Sequence, residues 1–121
     1  MKTKKELGRW GEQLAEKFLQ KKGYTILRRN FQIRQGEIDI ICTEQEILVF
    51  VEVKTRKSIA YGYPQEAITY KKEQHMKTAA LAYLQEHKNI HYKALRFDVI
   101  GIIIDESGAP PRISHLENVF D

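Results

Sequence analysis

Two short apolar stretches carry charge at regular spacing: Gly36-Glu37-Ile38-Asp39-Ile40-Ile41 and Val51-Glu52-Val53-Lys54. Both read as strands. Side chains alternate faces along a strand, so Glu52 and Lys54 share one side. A carboxylate in an apolar strand is costly unless something compensates it, and a divalent cation is the obvious candidate. The break between the stretches, Thr43 to Ile47, is short enough for a hairpin. A turn centred on Gln45 and Glu46 puts Ile41 opposite Phe50, Asp39 opposite Glu52 and Glu37 opposite Lys54. Opposed residues in an antiparallel pair point to one face, with Cβ atoms about 4.5–5.5 Å apart. Two carboxylates so placed repel unless a cation lies between them. A slip of one residue would put them on opposite faces.

Such a site has a definite chemistry. Asp39 and Glu52 would hold Mg²⁺ or Mn²⁺; Mg²⁺ takes few protein carboxylates and keeps several waters. The backbone carbonyl of Val53 could complete the sphere. Lys54 would orient or help deprotonate an attacking water, or steady charge on a phosphate oxygen. The reaction this arrangement suits is hydrolysis of a phosphodiester.

Each residue has a plainer reading beside this one. Glu52 and Lys54 could be a solvated charge pair at a strand end. Asp39 could bind a nearby backbone N–H. Glu37, after Gly36, reads as a turn-adjacent surface residue or a salt-bridge partner of Lys54. Asp98, in Phe97-Asp98-Val99, reads as a structural acid. The histidines at 75, 87, 91 and 115 have no metal-ligand spacing, read as exposed helix or loop positions, and receive no role. No Ser-His-Asp arrangement, P-loop or Gly-rich nucleotide fingerprint is present.

The elements that must position these groups follow from periodicity. Lys4 to Lys22 reads as a helix, with Leu7, Trp10, Leu14, Phe18 and Leu19 at helical spacing and Gly23 as its C-terminal stop. Gly8 and Gly11 within it each cost about 1 kcal/mol relative to Ala, which predicts a close approach by another backbone or a ligand. Glu12 falls at the edge of the apolar face and could run along the sheet surface. Tyr24 to Phe31 reads as a strand, followed by the acidic pair. Ser58 to Gln65 reads as a loop. Thr69 to His87 reads as a helix with Thr69 as N-cap and Met76, Ala80, Tyr83 and Leu84 as its apolar stripe. Tyr92 to Ile104 is a long β-rich run, and Arg112 to Val119 a last short strand. The order α-β-β-β-α-β-β implies an α/β fold, a central sheet with helices on its faces, in one domain over residues 1–121. Ile47 to Val53 is apolar on both faces, as a covered central strand should be.

Composition narrows the partners. At 42% hydrophobic and 30% charged residues, the chain is a folded protein with a core. Its formal net charge of +4 hints at a polyanion. The cations cluster: Arg28, Arg29 and Arg34 before the first acidic strand, Arg56 and Lys57 after the second, and Lys71, Lys72 and Lys77 on the following helix. The single cysteine, Cys42, excludes an intrachain disulfide and a thiolate zinc cluster. No apolar run approaches the roughly 20 residues of a membrane span. The basic start, Met-Lys-Thr-Lys-Lys-Glu, leads into no signal-type stretch, and a reducing cytoplasm is the expected setting.

Asp39 followed by Glu52-x-Lys54 resembles the PD-(D/E)xK nuclease signature, shared by restriction endonucleases and archaeal Holliday-junction resolvases. A wider pattern covers nearly the whole chain. Gly8-x-x-Gly11-Glu12-x-x-Ala15, Gly23-Tyr24, Arg29-Asn30, Gly36 to Ile41, Phe50 to Arg56 and Ile68-Thr69-x-x-Lys72 resemble the YraN-type family of small bacterial endonuclease-like proteins. Ile38 departs from the proline that the broad superfamily often has there. The resemblance implies a restriction-endonuclease-like mixed sheet flanked by helices. It makes Glu12 a helix-borne acid of the site beside Asp39, Glu52 and Lys54. It implies Lys72 or Gln74 near the phosphate, with Arg28, Arg29 and Arg56 on the nucleic acid. The implied activity is Mg²⁺-dependent endonuclease cleavage of DNA, on branched substrates of the Holliday-junction kind, by an enzyme expected to dimerise. The competing expectation is a non-cleaving nucleic-acid-binding module of a DNA-processing assembly.

Overall fold

The computed structural model describes residues 3–58, 62–105 and 107–120, apart from the side chain of Ala67. Helix α1 (Lys4–Lys21) opens on a reciprocal cap: Thr3 Oγ1 accepts from Glu6 N at 3.1 Å and Glu6 Oε1 accepts from Thr3 N at 3.0 Å. Such boxes satisfy two of the N–H groups a helix start leaves orphaned. Gly23, at φ +95, takes the left-handed position after the last turn. Strands β1 (Thr25–Ile33), β2 (Gly36–Glu44) and β3 (Ile47–Arg56) follow, then a 3₁₀ turn at Pro64–Ala67. Helix α2 (Tyr70–Glu86), capped by Thr69 Oγ1 on Lys72 N, leads to β4 (Ala94–Ile103) and β5 (Arg112–Leu116). The order is therefore the expected α-β-β-β-α-β-β, and each long element starts and stops within two residues of its expected bounds, except the early end of β5. The 3₁₀ turn falls in and beyond the stretch read as loop, whose Ile59, Ala60 and Tyr61 lie outside the described residues.

The strands form one mixed sheet in chain order, antiparallel throughout except for the parallel β3–β4 pair. Parallel strands need a long crossover, and α2 supplies it. Residues Leu48 to Val53 are all buried, because each face of β3 lies under a helix. On one face Leu7, Ala15 and Leu19 of α1 pack on Ile40, Cys42, Val49 and Val51. On the other, Ala79, Ala80 and Tyr83 of α2 pack on Ile41, Leu48 and Phe50. Gly11 explains itself: a Cβ there would collide with the Thr55 side chain. Gly8 does not meet the expectation of a close neighbour, since a Cβ there has nothing within 4 Å.

Candidate active site

The β2–β3 hairpin turns where expected. Glu44 pairs with Ile47, and Ile41 lies opposite Phe50. The ladder runs out at Ile40–Val51, one pair before Asp39 and Glu52. Beyond it the backbones part. The Val53 amide donates to the Asp39 carboxylate, Oδ2, at 2.8 Å. A side chain thus takes a ladder position and fixes that carboxylate against β3. The β4 edge of β3 stays paired out to Arg56–Ile103.

Simple alternation also fails at this point. Ile40 and Cys42 face α1, whereas Ile38, an even number of residues away, joins Ile41 in the cluster under α2. Opposite the break, Asn30 holds φ at 53 between the pairs Arg29–Ile40 and Phe31–Ile38. A left-handed residue inside a strand bends it and re-aims its neighbours. Asp39 therefore sits at a kink, within electrostatic reach of groups on both helices: its charge acts on Glu12 of α1, on Glu52 of β3 and on Lys72 of α2.

Asp39 and Glu52 are both buried, at 7% and 3% exposure. Burial, then the charge of Asp39 and a hydrogen bond with it, push the Glu52 carboxyl up to about 8 against the opposing pull of Lys72. Lys72 Nζ lies 2.8 Å from Glu52 Oε2 in an ion pair, yet that oxygen is buried without a directed hydrogen bond. Burial pushes the Lys72 amine down, but the bond to Glu52 and the charges of Glu52, Asp39 and Glu37 outweigh it and hold the amine above its ordinary value. Glu12 is raised as well, by burial first and Asp39 next, with Arg29 and Asn30 opposing. Arg29 reaches Glu12 at 3.5 Å and Glu16 at 3.6 Å, and Glu12 Oε1 is another buried oxygen without a hydrogen bond.

The remaining candidates divide. Lys54 is half-buried two residues beyond Glu52 and makes no ion pair among the described residues. Lys72 stands in the acidic centre itself. Glu37 pairs with Gln32 at 2.9 Å and approaches Lys72 at 3.9 Å, so its partner is Lys72 and not Lys54. The parting strands carry it away from Lys54. Arg29 is committed to the two α1 acids. Arg28 is exposed, with its guanidinium 5.3 Å from the centre of the Phe31 ring. Gln74 is exposed on α2 and lines no part of the carboxylate cluster. Arg56 is half-buried at the far end of β3, with Nε buried and unpartnered.

A second buried acid is fully answered. Asp98 of β4 accepts from Arg96 Nε (2.9 Å) and Nη2 (3.0 Å), from His115 Nε2 (2.8 Å) and from Asn118 N (3.0 Å). Lys22 Nζ lies 2.8 Å from the other ring nitrogen of His115. Lysine only donates and carboxylate only accepts, so His115 is held with its proton on Nε2. The expectation that all four histidines are exposed therefore fails for His115, whose side chain is 4% exposed. The available signal was alternation in the last strand, which puts His115 on the same face as half-buried Ile113.

The donor set fits a hard divalent cation. Two adjacent carboxylates are withdrawn from water, and one buried oxygen has only an ammonium beside it. Among the described residues no group of three or more His, Cys, Asp or Glu side chains is arranged to hold a metal. The protein would supply Asp39 and Glu52, with solvent and substrate oxygens as the other ligands, which is the usual manner of Mg²⁺.

The model of the family described as "Uncharacterised protein family UPF0102" matches residues 11–102, which include every residue of this cluster. The chain belongs to that family. A UPF0102 protein of Syntrophomonas wolfei is 44% identical over 116 residues, 96% of this chain and 98% of the relative. One from Caldicellulosiruptor bescii is 46% identical over the same shares, and one from Bifidobacterium longum 43% identical over 98% and 95%. The YraN-like resemblance is thus a resemblance to UPF0102, whose description assigns no activity. Among the described residues no helix is long and apolar enough to cross a membrane.

Proposed function

We propose that the chain is a metal-dependent endodeoxyribonuclease of the PD-(D/E)xK kind that hydrolyses DNA phosphodiester bonds, with branched, four-way DNA as its substrate. The observation that carries this reading is the pair Asp39 and Glu52: two buried carboxylates in contact, at the place where the sheet opens, with too few hydrogen bonds to account for their burial. Mg²⁺ or Mn²⁺ held there would polarise the scissile phosphate and make the attacking water more acidic. Val53 N holds Asp39 in register. Lys72 keeps Glu52 from repelling Asp39. Lys54, on the strand that bears Glu52, steadies charge on a phosphate oxygen or takes the proton of the attacking water. Glu12, close enough for Asp39 to raise its pKa, accepts hydrogen bonds from solvent ordered around the pair. On a four-way junction two chains would act together, one centre on each of two strands.

One observation favours the non-cleaving alternative: Lys72 already offsets Glu52, as an amine that had replaced the cation would. Cleavage of linear, nicked, single-stranded and four-way DNA with Mg²⁺ or Mn²⁺ separates the readings. The nuclease reading expects metal-dependent cutting that falls at least about 100-fold in Asp39→Ala and in Glu52→Ala, the scale on which charge-stabilising groups act. Cleavage at the wild-type level in both variants rejects the site. Salt-sensitive binding of DNA with no cleavage of any substrate favours the binding module.

A further inference from the structure

Beyond the carboxylates, the chain builds a second feature from the same two elements. A cleft of about 520 Å³ lies between the first turns of α1 and the outgoing end of β3. Lys4, Lys54, Arg56 and Lys57 line it, together with Gly8 and Thr55, and no carboxylate does. Lys4, Lys54 and Arg56 have no ion pair among the described residues. Two polar atoms on its wall, Thr55 Oγ1 and Arg56 Nε, are buried without a hydrogen-bond partner. Buried polar atoms are normally satisfied, so each such pair calls for an explanation.

Gly8 adds an independent reason. A glycine inside a helix costs about 1 kcal/mol relative to alanine, and this one admits no close neighbour in return. What it does is leave the cleft open. The cleft is also in line with the acidic centre. Lys4, Gly8 and Glu12 follow one another at four-residue intervals on α1, as Arg56, Lys54 and Glu52 do at two-residue intervals on β3. Both rows run from cationic to acidic, over roughly 12 Å by the rise of each element.

We infer that this cleft is an anion subsite that takes a phosphate group of a polynucleotide flanking the one at the carboxylates, with Lys4 and Arg56 as its cations and Gly8 as the opening. The inference rests on the nuclease reading for its substrate class, but its test does not depend on cleavage. The full-length chain is titrated, in metal-free buffer with chelator, against fluorescein-labelled single-stranded oligonucleotides bearing either a 5′-phosphate or a 5′-hydroxyl, at several salt concentrations. Each lost phosphate contact lowers the slope of log affinity against log salt by about 1. The expectation is a slope lower by about 1 in Lys4→Gln and by about 2 in Lys4→Gln/Arg56→Gln, with at least a tenfold loss of affinity in the double variant.

Lys88→Gln, which removes the same unit of charge beyond α2, is expected to bind as the wild type does. Gly8→Leu fills the opening without changing charge. It is expected to fold, because the space beside it is free, and to lose at least fivefold in affinity. Preference for the 5′-phosphate strand, lost in these variants, assigns the cleft to a terminal phosphate; equal binding of the two strands, weakened in the same variants, assigns it to an internal one. Wild-type affinity and slope in both Gly8→Leu and the double variant overturn the subsite, as does an equal loss in Lys88→Gln. Absence of oligonucleotide binding by the wild type overturns it too. None of these results decides the carboxylate centre, which stands or falls with metal-dependent cleavage.

Discussion

Asp98 and Glu52 are acids on neighbouring, parallel strands of one sheet, each almost wholly withdrawn from water. They differ in what meets them. Asp98 receives four hydrogen bonds, two of them from the Arg96 fork. Burial pushes it up, but the bonds from His115, Arg96 and the Asn118 amide outweigh burial and hold it below the usual carboxylate range. Glu52 has one ammonium, one carboxyl neighbour and an orphaned oxygen, and its carboxyl is driven the other way. Burial of a charge is therefore not what marks a site in this molecule. The mark is burial left uncompensated, and groups of that kind cluster where chemistry is done.

The largest test of the contrast is Asp98→Ala. It strands Arg96 and His115 in the interior, and breaking a buried pair from one side costs about 3–5 kcal/mol. Urea unfolding at neutral pH measures it, and a loss below about 1 kcal/mol would remove Asp98 from the structural class.

The pH dependence sharpens the comparison, because the two acids have opposite signs. Asp98, depressed in the fold, contributes stability above its ordinary value near 3.8 that is lost as pH falls through its lower folded value. Glu52, raised to about 8 from an ordinary 4.5, contributes stability below 4.5 that is lost as pH rises through 8. Glu52→Gln removes that loss. The variant should match the wild type near pH 5 and exceed it near pH 9 by on the order of 2–4 kcal/mol. Parallel stability curves for the two proteins would mean that Glu52 is compensated after all.

A smaller effect is expected at Thr55, whose hydroxyl is also buried and unpartnered. Thr55→Val keeps the shape and removes the orphan, so stability should hold or rise by up to about 1 kcal/mol. A loss greater than that would show a hydrogen bond that the fold depends on.

The sequence carried the architecture well and the site in part. Helix periodicity, Thr69 before α2, Gly23 after α1 and the turn at Gln45-Glu46 are local signals, and local signals were enough for the element order. Ile41 opposite Phe50 followed from the same turn. What alternation could not give was its own interruption. Asn30 adopts a left-handed conformation that nothing in a run of Arg-Arg-Asn-Phe announces, and the kink it makes opposite Asp39 turns Ile38 to the other face. The ladder then stops short of Asp39 and Glu52, so those acids meet through side chains at a gap and not as a cross-strand pair. The same opening moves Glu37 from Lys54 to Lys72. His115 was missed for a different reason: its partners, Asp98 and Lys22, are 17 and 93 residues away in the chain. Contacts of that kind have no period.

The central claim is that Asp39 and Glu52 jointly hold a divalent cation. Titration of Mn²⁺ into the protein near pH 8.5, followed by loss of the free-ion electron paramagnetic resonance signal, tests it most directly. The account predicts saturable binding at one or two sites per chain in the wild type, and its loss in Asp39→Asn/Glu52→Gln with the folded structure retained. Undiminished Mn²⁺ binding in that double variant, or none in the wild type, would contradict it.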